Sequence, residues 1–181
     1  MKKLLCFIPF ILLLFPGCCT CLSQETKDML VSEVDLEQYS GLWYQVARYD
    51  HRFQSDDCAE STAEYTLRPD GKMSVLNRCW KDQYGGEYTQ QIRATAESVN
   101  EQHSWLRVWF FRVIPANYLI IGLDKDYQWA CVTTPNKKSL WILSRTPSLD
   151  AITYKSIVDS LVAQGFHRDE MIKTSRQGEI E

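Results

Sequence analysis

The chain has 181 residues, the length of one domain with a core of ordinary size. Its 20 basic and 23 acidic residues give a net charge of -3, and removal of residues 1–17, which hold two lysines and no acids, lowers the charge by two to -5. An acidic domain of this kind argues against nucleic acid as a partner.

Residues 1–17 have the pattern of a secretory signal peptide. Two lysines precede an apolar run over 4–15, and a Pro-Gly pair follows it. The run is too short for a membrane-spanning helix. We therefore expect these residues to direct export and to be removed.

Cys18 directly follows the small residue Gly17, as in the lipobox of bacterial lipoproteins, although Phe15 stands where leucine is usual. This resemblance predicts a lipid anchor on Cys18, with palmitate among its chains, and the lack of Asp at position 19 favours the bacterial outer membrane. An ordinary secretory signal and an uncleaved anchor stay open as alternatives. Residues 18–34 are mixed polar and are predicted to form a tether.

Eight short strand-like runs follow, separated by turn chemistry such as Pro69-Asp70-Gly71 and Gly85-Gly86. The runs predict an all-β fold, an antiparallel barrel or sandwich, and the short connections indicate an up-and-down order. The runs cover residues 41–49, 59–67, 73–80, 88–96, 105–111, 118–123, 128–133 and 139–144. In the last three runs both faces are apolar, and a ligand, a helix or a second subunit stays open as the partner.

After Pro147 the apolar residues recur at the spacing of an α-helix. Ser148 is the expected N-cap, Asp150 suits the first turn, and Gly165 ends the helix. This C-terminal helix is predicted to pack outside the barrel through an apolar stripe of Ile152, Tyr154, Ile157, Val158, Leu161 and Val162. The domain is expected to span 35–175, followed by a polar tail over 176–181.

Three cysteines lie in the predicted domain. Cys58 begins one strand-like run and Cys79 falls near the end of the next, so an antiparallel hairpin brings them together and predicts a disulfide in an exported protein. Cys131 lies between Ala130 and Val132 and is interpreted as a small buried apolar residue. The sequence has no CxxC pair with matching histidines, so we expect no structural zinc site and no other metal or cofactor.

Three segments in order resemble the lipocalin family, in its bacterial outer-membrane branch related to apolipoprotein D. They are GLWYQVARYDHRF at 41–53, GLDKDYQWA at 122–130 and LWILSRTP at 140–147. The resemblance covers roughly residues 35–175. It implies an eight-stranded antiparallel up-and-down β-barrel. In that barrel Trp43 lies at the closed end and Arg145 packs across its ring, both in a structural role.

The resemblance also implies an interior that binds a ligand, since an eight-stranded barrel can hold one small molecule. Inward positions on the alternating strands predict a lining of apolar and aromatic residues with a few polar ones. The predicted ligand-binding residues are Ala63, Tyr65, Val75, Asn77, Ile92, Ala94, Leu106, Val108, Phe110 and Tyr118. For each of them, a packed core residue is the alternative.

Other patterns have weaker functional interpretations. The three histidines, His51, His103 and His167, are too dispersed for a triad or a metal site. Arg48 and Arg52 lie near the predicted mouth, where they can pair with a phosphate or carboxylate. Trp109, Phe111 and Pro115 form either an exposed patch for a membrane or homodimer contact, or a surface covered by the helix.

Taken with the resemblance, the sequence predicts an exported protein that binds, stores or transports a hydrophobic molecule such as a fatty acid or lysophospholipid. Its expected partners are that ligand and the membrane, through the lipid anchor. No nucleophile and base lie in register, so the prediction is a non-enzyme with no catalytic residues. An enzyme that uses the barrel as its active site and an interaction protein with a filled barrel remain the alternatives.

Overall fold

The computed structural model describes residues 22–49, 58–81, 88–111 and 113–174. Nine strands make one sheet, β1 (Gly41–Tyr49), β2 (Glu60–Leu67), β3 (Met73–Trp80), β4 (Tyr88–Ser98), β5 (Trp105–Phe110), β6 (Ile114–Leu123), β7 (Trp129–Thr133), β8 (Leu140–Ser144) and β9 (Met171–Lys173). The helices are α1 (Gln24–Asp28), α2 (Leu36–Tyr39), α3 (Ala151–Ala163) and a 3₁₀ turn at Arg168–Glu170. None of the helices in these ranges is long and apolar enough to cross a membrane.

Strands β1 to β8 are antiparallel neighbours in chain order, and the barrel closes because β1 pairs with both β8 and β2. The first half of β1 pairs with β2, whereas its last residues, Ala47–Tyr49, pair with β9. The predicted eight-stranded up-and-down barrel is confirmed. We call the end where β1 begins the closed end and the end where β1 finishes the open end.

Strand β6 begins at Ile114, four residues earlier than predicted, and includes Pro115. Proline lacks a backbone N–H and is tolerated where a strand has a neighbour on one side only. Pro115 pairs with Trp109 on β5, and the pairing of β6 with β7 begins only at Leu119. The proline therefore lies in a part of β6 that has a neighbouring strand on one side only.

Helix α3 packs on the outside of the barrel, as predicted, but through a narrower stripe. Tyr154, Ile157, Val158 and Leu161 are buried, whereas Ile152 is 83% exposed and Val162 is 43% exposed. Ile152 lies about 200° from Tyr154 around the helix and so points away from the sheet. The helix ends at Ala163, and Gly165, two residues later, has the left-handed φ of +86° that is common after a helix C-terminus.

The buried face of α3 belongs to an outer cluster of apolar residues. That cluster includes outward residues of β1, β6, β7 and β8, namely Val46, Ala47, Tyr49, Leu119, Ile121, Cys131, Leu140 and Ile142. The helix therefore explains why these strands have apolar residues on both faces. Cys131 is 2% exposed within the cluster, which agrees with its interpretation as a buried apolar residue.

Because α3 covers the side of the barrel formed by β1 and β6–β8, it does not cover the β5–β6 turn. Phe111 is 72% exposed and Pro115 is exposed, while Trp109 is half-buried and donates from Nε1 to Glu97 Oε1 at 2.9 Å. An open groove of about 460 Å³ runs over β2–β5, and Trp109 and Phe111 are among the residues that line it. Helix α3 therefore does not cover this region, and its role in a membrane or homodimer contact stays a prediction.

The segment before the barrel differs from the predicted tether from Leu22 onward. Leu22 is 7% exposed in the outer cluster, and Val34 is 1% exposed in the barrel interior. Between them, the Val31 N–H donates to the Ile120 carbonyl at 3.0 Å, and the Val34 N–H donates to the Gln102 carbonyl at 2.9 Å. Residues 22–34 are thus packed on the barrel and hydrogen-bonded to it.

Candidate functional site

The closed end of the barrel is sealed by Trp43 and Arg145. Trp43 is fully buried, and the Arg145 guanidinium carbon lies 3.8 Å from the centroid of its ring. Burial lowers the pKa of Arg145 from its usual value, but the guanidinium remains charged at any physiological pH. The predicted contact between these two residues is present.

Arg145 also holds the segments that meet at this floor. Its guanidinium donates to the carbonyls of Leu42, Gln38 and Tyr127 at 3.0, 2.6 and 3.2 Å. Trp43 Nε1 donates to the Tyr39 carbonyl at 2.8 Å, which fixes α2 at the closed end. One side chain therefore links α2, β1 and the β6–β7 turn.

Above the floor lies an inner cluster of apolar residues, separate from the outer cluster under α3. Eight of the ten predicted ligand-binding residues belong to it, Ala63, Tyr65, Val75, Ala94, Leu106, Val108, Phe110 and Tyr118. The other two, Asn77 and Ile92, are half-buried and pair with each other, and Asn77 also pairs with Ala63. Register thus places all ten on one inner surface, with Asn77 and Ile92 nearer the open end.

Within this cluster the residues differ in how deeply they are packed. Tyr65, Val75, Leu106 and Val108 are buried, whereas Ala63, Ala94, Phe110 and Tyr118 are only partly buried. Partly buried side chains on an inner surface are the ones that a molecule inside the barrel can reach.

Three tyrosine hydroxyls meet inside the barrel. Tyr65 donates to the Tyr118 hydroxyl at 2.9 Å, and the Tyr118 and Tyr39 hydroxyls lie 2.7 Å apart. Three hydroxyls carry three hydrogens, and two hydrogen bonds use two of them, so one O–H of the tyrosine triad is left to donate elsewhere. Burial raises the pKa of all three phenols, that of Tyr65 to about 12, which keeps them protonated donors at neutral pH.

Sequence reasoning placed Tyr65 and Tyr118 in the site but missed Tyr39. Tyr39 ends the short helix α2, before the first strand, and its partner Tyr118 lies 79 residues further along the chain. The inward positions were predicted from alternating residues in strands, and this pattern does not apply to a helix such as α2. The signal available was an Asp35 N-cap with an aromatic residue four positions later, directly before the Gly41-Leu42-Trp43 motif.

Two polar residues of β1 lie on the inner surface, Gln45 by alternation from Trp43 and Arg48 because of a β-bulge between Gln45 and Ala47. Gln45 pairs with Leu143 and Arg48 pairs with Trp141, and both partners belong to the inner cluster. Arg48 lies at the open end, where it also donates to the Tyr49 carbonyl at 3.2 Å. A cation is therefore present where a ligand would enter. His51 and Arg52 lie outside the described residues.

Cys58 and Cys79 form the predicted disulfide at the same end, with their Cα atoms 5.6 Å apart. It joins the residue two positions before β2 to the end of β3. His103 lies in the β4–β5 turn at the closed end and contacts Ser98 Oγ at 2.7 Å, whereas His167 lies beside Tyr49 at the open end. These two histidines are not brought together, and the described ranges hold no cluster of three or more candidate metal ligands.

A sealed floor, an apolar interior with a few polar groups and one outer helix define a ligand-binding β-barrel. Residues 34–176 match the family model of the Lipocalin-like domain. The chain therefore belongs to the lipocalin family, whose members bind small hydrophobic ligands.

Two relatives support this family assignment. The chain is 35% identical over 159 residues to the outer membrane lipoprotein Blc of Vibrio cholerae, which covers 87% of this chain and 91% of that protein. It is 33% identical over 156 residues to temperature-induced lipocalin-1 of Arabidopsis thaliana, covering 83% and 84%.

Among solved structures, lobster apocrustacyanin A1 superposes with a TM-score of 0.64 at 17% identity, covering 85% of this chain and 87% of that one. Insecticyanin of the tobacco hornworm gives 0.63 at 18% identity, covering 81% and 82%. At this level of identity the superpositions establish the shared fold.

Proposed function

We propose that this lipocalin binds and stores or carries a fatty acid or lysophospholipid in its barrel at the envelope of a bacterium, to which it is attached through lipid on Cys18. The inner cluster carries the proposal, because it is apolar along its length and closed at one end by Trp43 and Arg145. Outer membrane lipoproteins among the relatives support the envelope and the anchor.

Burial supplies the affinity for an acyl chain. Each Å² of apolar surface that leaves water contributes about 25 cal/mol, so a chain surrounded by Val75, Ala94 and Phe110 is held without specific chemistry. Because this free energy depends on buried apolar area and not on a functional group, we expect acyl chains of different saturation to bind.

Polar groups then select the ligand head and its depth. Arg48 lies at the open end, where its charge complements a carboxylate or phosphate. The spare donor of the tyrosine triad lies at the other end of the cavity, close to the floor. An oxygen atom that reaches the triad gains a hydrogen bond there, whereas a bare methyl end gains only burial.

Native mass spectrometry of the purified protein, with extraction of copurifying lipid, tests the proposed ligand class. We expect acyl lipid to be recovered and a fluorescent fatty acid to be displaced by oleate and by lysophosphatidylethanolamine. Absence of acyl lipid together with no binding of either probe would refute the proposal.

A matched pair of variants locates the ligand. Ala94 packs against the inner cluster and pairs with Phe110, whereas Thr95, the next residue of β4, lies on the opposite face and pairs with Trp109. Ala94→Trp fills the cavity and should weaken binding by roughly tenfold or more, which corresponds to about 1.4 kcal/mol. Thr95→Trp adds the same bulk outside and should leave the affinity unchanged. Equal affinities for the two variants would show that the ligand lies elsewhere.

A further inference from the structure

The described chain begins at the open end of the barrel. In α1, Glu25 pairs with Lys137 in the β7–β8 turn at 3.0 Å, and Lys137 also donates to the carbonyl of Gln164, just after α3, at 3.1 Å. Both of those partners lie at the open end. Cys18 is four residues from Leu22, so a lipid on Cys18 attaches at most about 14 Å from it. The position of α1 therefore brings the open end near the surface that holds the anchor.

The β5–β6 turn projects apolar side chains from the same end. Phe110 pairs with Ile114, and Phe111 and Val113, which lie between them, are each 72% exposed. Phe111 also has φ +50°, a left-handed conformation that is unfavourable for a bulky residue. An exposed aromatic residue at a strained turn costs stability without filling the core, and such features are found at functional surfaces.

The closed end also exposes large apolar side chains, but they are dispersed over three elements. Leu42 lies on β1, Val99 in the β4–β5 turn and Ile152 on α3, whereas Phe111 and Val113 share one turn. The β5–β6 turn therefore presents two large apolar side chains together, as a surface for lipid would.

We infer that the barrel stands with its open end on the lipid bilayer that holds the anchor, and that Phe111 and Val113 insert at the bilayer interface. The inference rests on the lipid anchor at Cys18, which is part of the proposed function. In this orientation a single-chain lipid passes between bilayer and cavity without crossing water. The partner is a lipid surface rather than a second copy of the chain.

Two exposed valines in turns at opposite ends provide the test. Val113→Trp places a fluorophore at the open end, and Val99→Trp places one at the closed end, between β4 and β5. The full chain, processed by a bacterial host, is reconstituted with vesicles of phosphatidylethanolamine and phosphatidylglycerol. Half of the vesicles carry bromine on their acyl chains, which quenches tryptophan fluorescence on contact.

We expect the added fluorescence of Val113→Trp to be mostly lost in brominated vesicles and that of Val99→Trp to be retained. Quenching of Val99→Trp alone would mean that the barrel is inverted. Quenching of both would mean that it lies on its side, and quenching of neither that it stands away from the bilayer. Each of these three results overturns the inference, whether or not mass spectrometry finds lipid on Cys18.

A second variant tests the route of the ligand. Phe111→Ser removes the aromatic ring outside the cavity, so the affinity for dissolved fluorescent fatty acid should not change. Transfer of the same probe from vesicles to the barrel should become slower, because the open end contacts the bilayer less well. Unchanged transfer would contradict the route, whereas loss of binding by the unmodified protein would contradict the proposed function instead.

Discussion

Arg145 lies over the ring of Trp43 at 3.8 Å and at the same time donates to three backbone carbonyls of the closed end. A cation over an aromatic ring contributes about 0.5–2 kcal/mol, and hydrogen bonds from a charged donor add to it. The floor of the barrel therefore depends on one side chain with several partners. Gly41 leaves room for it, since a Cβ there would lie 3.2 Å from Arg145 Nη1.

Replacement of Arg145 should strongly destabilise the fold. We expect Arg145→Ala to lower the free energy of unfolding by about 3 kcal/mol, and Arg145→Lys to lower it by less, because lysine keeps the charge but not the planar fork. Urea unfolding followed by circular dichroism measures both. Arg68→Ala is the control, because its ion pair with Asp70 is exposed and contributes between 0 and about 1 kcal/mol. Equal effects at Arg145 and Arg68 would contradict this account of the floor.

The tyrosine triad should show an order of effects. Tyr118→Phe removes both hydrogen bonds of the triad and should cost about 1–3 kcal/mol, whereas Tyr39→Phe removes one and should cost less. Binding of a ligand with an oxygen near the buried end should weaken in Tyr118→Phe more than binding of a plain acyl chain. If both ligands lose the same affinity, the triad acts only on stability.

The same triad predicts how stability depends on alkaline pH. Burial raises the pKa of Tyr65 to about 12 and those of Tyr39 and Tyr118 above 10, so the folded state keeps protons that the unfolded chain releases near pH 10. The stability that these protonated phenols contribute is complete below pH 10 and declines as pH rises through 12. Urea midpoints measured from pH 8 to pH 12 should fall more steeply in the parent protein than in Tyr118→Phe. Parallel slopes would indicate that the triad does not titrate in this range.

The inner surface was predictable from sequence where a strand alternates between two chemically different faces. This is the case for β2, in which Ala63 and Tyr65 alternate with Glu64 and Thr66. It was not predictable for β1, because the bulge after Gln45 changes the face on which Arg48 lies. A bulge depends on pairing with β8, and a single strand carries no sign of it.

Contacts between distant segments account for the other differences. Residues 22–34 lack helical or strand periodicity, yet Leu22 and Val34 bury their side chains in clusters that the rest of the chain builds. The apolar outer faces of β6–β8 were visible in the sequence, but only the docked helix α3 shows what covers them. The sequence therefore shows that these faces must be covered, and only the tertiary structure shows that α3 covers them.

The disulfide should stabilise the barrel at its open end. A bridge between residues 21 positions apart contributes about 3 kcal/mol in the chain-entropy model. The double variant Cys58→Ala/Cys79→Ala should lose about this amount in urea unfolding, while Cys131→Ala changes a buried thiol outside the bridge and serves as the control. Thiol counting in denaturant without reductant should find Cys58 and Cys79 protected. Reaction at both would refute the pairing.

The start of α3 provides the clearest correction to the sequence prediction. Asp150, and not Ser148, is the N-cap, because its side chain accepts the Thr153 N–H at 2.9 Å. Leu149 before the cap and Tyr154 in the second turn are both buried in the outer cluster, an arrangement known as a hydrophobic staple. Leu149 is buried against the outside of the barrel, and the helix cap follows at Asp150. The sequence alone does not show this contact, so it did not distinguish Asp150 from Ser148.

Two alanine variants distinguish the caps. Asp150→Ala should lower the melting temperature, whereas Ser148→Ala should not, since Ser148 contributes its backbone carbonyl to Thr146. The hydrogen bond from Thr153 lowers the pKa of Asp150, so the contribution of the cap is present above the usual carboxyl pKa and is lost as pH falls below it. The difference in melting temperature between the parent and Asp150→Ala should therefore shrink in acid. A difference that persists after the carboxyl is protonated would show that Asp150 stabilises α3 by something other than its charged cap.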